Sequence, residues 1–136
     1  MMADIRLDTG IQRFNFTDLD GHVFAHFSIN PADINLAARA SEVSDYFREI
    51  DDSPTVDRAI ELNREIEDKI AYVLGCDRAD VFAEISALTI FPDGRMFAQV
   101  IMDKIIETVE PALEDRKKKI ETAQERYVAQ YEHKSV

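Results

Sequence analysis

The stretch from Tyr72 to Leu113 is YVLGCDRADVFAEISALTIFPDGRMFAQVIMDKIIETVEPAL, and it contains the signals that order the helices of this chain. Gly75 is typical of a residue that ends a helix in a left-handed conformation. Asp77, with Asp80 three residues later, predicts the start of a short helix. The predicted buried face of that helix consists of Val81, Phe82, Ile85 and Leu88.

The second half of the stretch predicts a tight turn and a longer helix. In FPDGR, Pro92 fixes φ and Gly94 permits a positive φ. The helix is predicted to begin near Arg95 or Met96, because apolar residues then recur at helical spacing. Pro111 lies inside this pattern and has no N–H, so it either kinks the helix or restarts it.

Two amphipathic helices are predicted upstream of this stretch. Asn30 is suited to cap the first of them, with Pro31 at its first helical position. Ser53 and Pro54 predict the start of the second in the same way. The apolar stripes are Leu36, Ala40, Val43, Phe47 and Ile50 in the first helix, and Val56, Ile60, Leu62, Ile66, Ile70, Val73 and Leu74, with Asn63 among them, in the second.

The N-terminal part of the chain predicts a β-hairpin. Apolar and polar residues alternate in RFNFT and in HVFAHFSI, on either side of DLDG. Two strands alone are only marginally stable, so the ribbon must lie on the helices or pair elsewhere. The predicted fold is mainly α with a small N-terminal β-hairpin (α+β), with four to five helices. Residues 1–10 are a lead-in, 11–113 a single helical domain and 114–136 a charged helical tail.

The predicted tail keeps only a thin apolar stripe. Its members are Leu113, Ile120, Ala123 or Gln124, Tyr127 and Tyr131. Such a stripe covers too little area for a stable isolated helix, so the tail needs a partner surface in this chain or in another. A frayed, solvated tail is the alternative, and the sequence leaves both open.

The charge of the chain is concentrated in its body. The 136 residues carry a net charge of −11; residues 1–109 contain 21 acids and 10 bases, and residues 110–136 contain 6 of each. This distribution argues against direct nucleic-acid binding, which requires clustered Lys and Arg. It is compatible with a basic protein partner, with mimicry of nucleic acid, or with solubility alone.

Several features predict a cytoplasmic protein. Cys76 is the one cysteine, which excludes a disulfide framework within the chain and fits a reducing compartment. The first ten residues lack the apolar core of a signal peptide. The apolar runs of the chain are far too short for a membrane span.

No pattern in the chain predicts catalysis. The segment TDLDG fails as a calcium loop, because the outer ligand positions would fall on Phe16 and Phe27. His22 and His26 are too far apart along a strand to share a metal. A nucleophile elbow, a phosphate-binding loop and a His-Glu-x-x-His motif are all missing from the sequence.

The remaining reactive groups have structural interpretations. Cys76 is interpreted as a half-buried spacer, although a place near a helix N-terminus would favour its thiolate. Glu67 and Asp68 are interpreted as part of a solvated helix face, because a catalytic carboxylate dyad would need burial. The sequence therefore predicts a non-enzymatic protein with no catalytic residue, cofactor or metal.

The order of these parts resembles the tail assembly chaperones of long-tailed bacteriophages, over Phe14 to Leu113. The resemblance lies in the Phe-rich ribbon, the two amphipathic helices, the VLG helix end, the short helix DRADVFAEI and the closing helix MFAQVIMDKIIETV. It implies a small, mostly helical protein that binds the tape measure protein before the tail tube polymerises. Self-association, a location in the host cytoplasm and absence from the finished particle are also implied.

The function expected from the sequence is thus that of a protein-binding assembly factor. Two alternatives stay open: an acidic nucleic-acid mimic that inhibits a host defence protein, and a structural virion subunit such as a tail completion protein. The predicted protein-binding residues are Phe82, Ile85, Leu88, Ile120, Tyr127 and Tyr131.

Overall fold

A computed structural model describes residues 2–49 and 55–134, with side chains described as far as residue 130. In this part of the chain, strands β1 (Gln12–Thr17) and β2 (Val23–Ile29) precede four helices. The helices are α1 (Ile34–Arg48), α2 (Val56–Leu74), α3 (Arg78–Phe82) and α4 (Phe97–Lys134). The predicted mainly helical fold with an N-terminal β-hairpin is confirmed.

The hairpin is antiparallel, with Phe14 opposite Phe27 and an irregular register at the end of β1. Its turn is held by Asp18, whose carboxylate accepts the backbone N–H groups of Asp20 and His22, each at 2.9 Å. TDLDG is therefore a turn, as expected from its failure as a calcium loop. The buried residues of β2 are Ala25, Phe27 and Ile29, and this strand contacts α2 and α3. Of the two predicted alternatives, the ribbon thus lies on the helices.

Phe97, the first residue of α4, is fully buried at the centre of an aromatic cluster. The centroid of its ring lies 5.3 Å from that of Phe16, 5.6 Å from that of Phe24, and 5.8 Å from those of Phe82 and Phe91. All four contacts are close to edge-to-face, the arrangement that the charge distribution of aromatic rings favours. The cluster joins the hairpin, α3 and α4 in one core.

The first helix starts later than predicted. Asp33, and not Asn30, is the cap of α1, and its carboxylate accepts the N–H of Asn35 at 2.9 Å. Asn30 instead begins a turn, in which its carbonyl accepts the N–H of Asp33 at 3.1 Å. The prediction was wrong because Asp33 competes for the same role, and the turn before it already uses Asn30 and Pro31.

The second helix is capped by Thr55, whose hydroxyl accepts the N–H of Arg58 at 3.2 Å. The predicted start at Ser53 and Pro54 lies outside the described residues, as does Ile50. Along α2, the residues that face the core are Leu62, Ile66, Ile70 and Val73. Val56 and Ile60 belong to the predicted stripe but are exposed, so the first turns of α2 present apolar side chains to solvent.

Gly75 ends α2 as predicted, with φ of 69°. The N–H of Cys76 returns to the carbonyl of Ala71 at 3.1 Å, which closes the last turn of the helix. The predicted turn before α4 is also confirmed. Gly94 has φ of 89°, and the N–H of Phe91 donates to the carbonyl of Arg95 at 2.8 Å.

The short helix α3 ends at Phe82, whereas its predicted face continued to Leu88. Ile85 and Leu88 lie on the irregular segment that connects α3 to α4. The backbone N–H groups of Ala87 and Leu88 donate to side chains of α2, so they do not continue a helical ladder. These bonds join residues 20 and 25 positions apart in the chain. The predicted length was wrong because local periodicity carries no information about such long-range bonds.

Candidate protein-binding surface

The C-terminal part of α4 leaves the body of the protein, and we call residues 113–134 the extension. Buried side chains end at Val109, Ala112 is half-buried, and every residue from 113 to 130 is exposed. At 1.5 Å per residue, the extension is about 33 Å long. A helix with this much exposure in a folded protein is a candidate for contact with another polypeptide.

Pro111 lies within α4, which is continuous from Phe97 to Lys134. The alternative that the helix restarts at Pro111 is therefore wrong. Proline removes one backbone bond, the one that would join its nitrogen to the carbonyl of Glu107. Both residues are exposed, so water can reach the carbonyl that loses its partner.

The extension carries an apolar stripe, formed by Leu113, Ile120 and Tyr127. Their exposed fractions are 38%, 45% and 69%. A spacing of seven residues places all three on one face of the helix. Tyr131, four residues after Tyr127, follows on the same face by its spacing, but its side chain lies outside the described residues.

Polar residues interrupt the stripe in a regular way. Arg116 and Lys117 occupy the turn between Leu113 and Ile120, three or four residues from each, and are therefore on the same face. Lys119 forms an ion pair with Asp115, and its Nζ lies 2.8 Å from the Asp115 carboxylate. This hydrogen bond and the negative charge raise the pKa of Lys119, although an exposed pair of this kind stabilises a helix little.

A groove runs along the root of the extension, where it passes the corner between β2 and α1. Pro31 and Ala32 form one wall, and Ala112, Arg116 and Ile120 form the other. The volume of the groove is about 490 Å³. Of the three stripe residues, Ile120 lines this groove, whereas Leu113 and Tyr127 lie outside it.

The six predicted binding residues fall in separate places. Phe82 lines a groove between α2 and α3, beside Ile60, and its ring also packs on Phe97. Ile85 and Leu88 are half-buried and pack against the core. Ile120 and Tyr127 are exposed on the extension, far along the chain from the first three. Three of the six predicted binding residues, Phe82, Ile85 and Leu88, are thus partly buried against the hydrophobic core.

A buried carboxylate was missed by the sequence interpretation. Glu67 is only 7% exposed and is not part of a solvated face. Its Oε2 accepts hydrogen bonds from Asn63 Nδ2 and from the N–H of Ala87, both at 3.0 Å. Asn63 Oδ1 in turn accepts the N–H of Leu88 at 3.1 Å, and we call these two side chains the Asn63–Glu67 clamp. One signal was available: Asn63 is a polar residue within an apolar stripe, four residues before Glu67.

The clamp holds the segment between α3 and α4 from one side, and α4 holds it from the other. The first N–H groups of α4, those of Phe97 and Ala98, donate to the carbonyls of Thr89 and Ala87 at 2.9 Å. Arg78 Nε lies 3.7 Å from Glu67 Oε1 and partly balances the charge of the carboxylate. The arrangement orders the backbone of the segment.

A surface ion pair joins the hairpin to the end of α3. His22 Nε2 lies 2.8 Å from Glu84 Oε1, and both side chains are largely exposed. The hydrogen bond to Glu84, and then the charge of Glu84, raise the pKa of His22 above its ordinary value of 6.5. The pair links the hairpin to the segment after α3 through His22 and Glu84.

We expect this pair to make stability depend on pH. Because the pKa of His22 is higher in the folded protein, its contribution is complete below about pH 6.5 and is lost as pH rises through the raised pKa. Urea unfolding of the wild type and of Glu84→Gln should therefore differ most near pH 5.5 and converge at about pH 8.5. An equal difference at both pH values would contradict the assignment.

Cys76 is half-buried, as predicted for a spacer. Burial, followed by the negative charges of Asp80 and Asp77, raises the pKa of its thiol. The thiol is thus protonated at neutral pH, and a protonated thiol is a poor nucleophile.

The described residues contain neither a cluster of metal ligands nor a membrane-spanning helix. Among the described side chains, no three His, Cys, Asp or Glu groups gather as a metal site requires. None of the described helices is long and apolar enough to cross a bilayer. No protein-family model, curated protein or solved structure matches this chain.

Proposed function

We propose that this protein is a non-enzymatic assembly factor that binds another polypeptide through the extension. The observation that carries the proposal is the stripe of Leu113, Ile120 and Tyr127, exposed along a helix whose residues 113–130 have no burial in the body. Exposed apolar side chains arranged along one helix face are typical of helix-to-helix recognition. The partner segment would be an amphipathic helix that covers this face.

The energetics favour a partner over an isolated helix. A helix of this length is marginal in water when little of it is packed, and the stripe contributes its stabilisation only when it is covered. Full burial of a large apolar side chain contributes about 1.5–3 kcal/mol. Covering Leu113, Ile120 and Tyr127 would therefore stabilise the extension and bind the partner at the same time.

The resemblance to tail assembly chaperones suggests which polypeptide is bound. We propose that the client is the tape measure protein of a long-tailed phage, held in the host cytoplasm until the tail tube polymerises. One property supports this client. It contains long helical segments, which match an elongated helical surface.

The test is co-expression of this protein with the tape measure protein encoded beside it. We expect a soluble complex, measured by affinity capture followed by size-exclusion chromatography. Ile120→Asp should weaken the complex at least about tenfold, because it places a carboxylate where an apolar side chain is buried. Ala129→Asp is the matched control: it adds the same charge nine residues later, on the opposite face of the helix.

Two results would argue against the proposal. An insoluble tape measure protein, with this protein left free in the supernatant, would overturn the chaperone function. Presence of this chain in purified virions would favour a structural subunit, because an assembly chaperone leaves before the particle is complete. Equal effects of Ile120→Asp and Ala129→Asp would remove the stripe as the binding face.

A further inference from the structure

We infer that the residues before β1 form a strap that closes over the groove at the root of the extension. We call residues 2–8 the arm. The inference rests on three features: the exposure and pattern of the arm, its attachment at the groove, and the apolar lining of the groove. The contact lies within one chain and does not depend on the proposed client.

The arm is open in the structure, although it carries large apolar side chains. The exposed fractions of Ile5 and Leu7 are 83% and 80%, and every residue from 2 to 10 is exposed. In an extended chain alternate side chains point to opposite sides, so Ile5 and Leu7 share one side and the charged residues of the arm share the other. This pattern suits a segment that lies on an apolar surface with its charges toward water.

Gly10 connects the arm to the groove, because it is itself one of the residues that line the groove. Its φ is 71°, a conformation that glycine adopts without strain, and its N–H donates to the carboxylate of Asp8 at 2.9 Å. A glycine changes its backbone angles more easily than other residues do. The arm therefore has its pivot at the edge of the groove.

The arm is long enough to follow the groove. From Gly10 to Ile5 an extended chain spans about 17 Å. Ala112 and Ala123 of the extension both line the groove, and they lie about 17 Å apart along the helix. The two lengths match, so an arm that runs along the groove brings Ile5 near Ala123.

The groove offers an apolar surface to the arm. Five apolar side chains line it, those of Pro31, Ala32, Ala112, Ile120 and Ala123. The alanines of the extension are small, so an extended backbone can approach the helix closely. Closure removes Ile5 and Leu7 from water, which is favourable in proportion to the apolar area that is buried.

The closed state is in equilibrium with the open one. Closure buries two large side chains and orders the backbone of the arm, and these two contributions are of similar size and opposite sign. The arm thus covers Ile120 from one side when no partner is bound, and a partner can displace it. Under the proposed function, the client and the arm compete for Ile120.

Disulfide formation tests the contact directly. In a Cys76→Ser background, Ile5→Cys combined with Ala123→Cys should form a disulfide within one chain under mild oxidation. The matched control combines Ile5→Cys with Glu121→Cys, because position 121 is two residues away and lies on nearly the opposite side of the helix. The control pair should react at least about fivefold more slowly.

Two results of this experiment would overturn the inference. Equal rates for the two pairs would show that the arm does not settle in the groove. Disulfides between two chains, detected by electrophoresis at twice the chain mass of 15.5 kDa, would place the arm of a second copy there instead.

Trypsin cleavage after Arg6 tests closure without introduced cysteines. A protease cleaves the open state, so an arm that lies in the groove is protected. Ala123→Asp places a carboxylate in the groove and should raise the rate of cleavage after Arg6 at least about twofold. Ala129→Asp adds the same charge outside the groove and should leave this rate unchanged. The same rate in both variants would contradict closure.

Client binding tests the competition, which rests on the proposed function. Ile5→Asp combined with Leu7→Asp removes the apolar side of the arm, and we expect this variant to bind the tape measure protein at least about twofold more tightly. Arg6→Asp is the control, because it changes the net charge by the same amount on the other side of the arm. Equal affinities for the two variants would overturn the competition.

The experiments distinguish this inference from the proposed function. The disulfide and protease measurements use the protein alone, so a failure of closure leaves the client function in place. A closed arm in a protein that binds no tape measure protein would remove the client function and leave the inference in place.

Discussion

Replacing Phe97 by alanine is expected to destabilise the protein by about 3–5 kcal/mol, the range measured for removal of large aromatic side chains from cores. Phe97 is fully buried and touches four other aromatic rings, from β1, β2, α3 and the turn before α4. Its removal leaves a cavity that these rings cannot fill together, because each is tied to a different element. The loss is a large part of the stability of a domain of this size.

Urea unfolding followed by circular dichroism measures this loss as a shift of the midpoint at constant slope. Tyr127→Ala is the control, because it truncates an aromatic side chain of similar size that is 69% exposed. It should change the free energy of unfolding by no more than about 0.5 kcal/mol. A loss below about 1 kcal/mol for Phe97→Ala would contradict the central place of this ring in the core.

Glu67→Ala is expected to destabilise the protein by about 1–3 kcal/mol through the N–H of Ala87 alone. Ala87 is fully buried, and its N–H donates to Glu67 Oε2 at 3.0 Å. Without the carboxylate this donor has no acceptor in the clamp and lies out of reach of solvent. Asn63 Nδ2 loses the same acceptor, so the segment that carries Leu88 loosens as well.

Two variants separate the lost acceptor from the lost charge. Glu67→Gln keeps an oxygen that can accept the N–H of Ala87, so it should retain more than half of the stability that Glu67→Ala loses. Asp68→Ala removes the neighbouring exposed carboxylate, which has only a distant contact with Arg78 at 3.8 Å, and should have little effect. Hydrogen exchange at the Ala87 amide should accelerate in Glu67→Ala. If Glu67→Ala had the same amide exchange at Ala87 and the same stability as the wild type, the clamp would not be needed to order this segment.

Local signals in the sequence were sufficient for several elements. The alternation around DLDG, the helix end at Gly75 and the turn at Gly94 were all predicted and are all present. Each depends on the conformational preferences of a few adjacent residues, which act whatever lies nearby. The start of α1 was wrong by a few residues, because Asn30 and Asp33 are both good caps and the choice between them depends on the turn that precedes the helix.

Long-range contacts account for the larger errors. The end of α3 at Phe82 and the burial of Glu67 have one cause, the hydrogen bonds from α2 to the backbone of Ala87 and Leu88. Such bonds join residues that are distant in sequence, and periodicity carries no information about them. The same contacts place Ile85 and Leu88 in the shell of the core, where the sequence predicted a binding surface.

The sequence by itself determined the helical periodicity of the tail and the seven-residue spacing of Leu113, Ile120 and Tyr127, because spacing along a helix fixes which residues share a face. Only the tertiary structure decided that this face is exposed, and that the body ends near Ala112. The reason is physical: a stripe of this width would suit either packing against the body or contact with another chain. The choice depends on where α1, α2 and the hairpin stop covering α4.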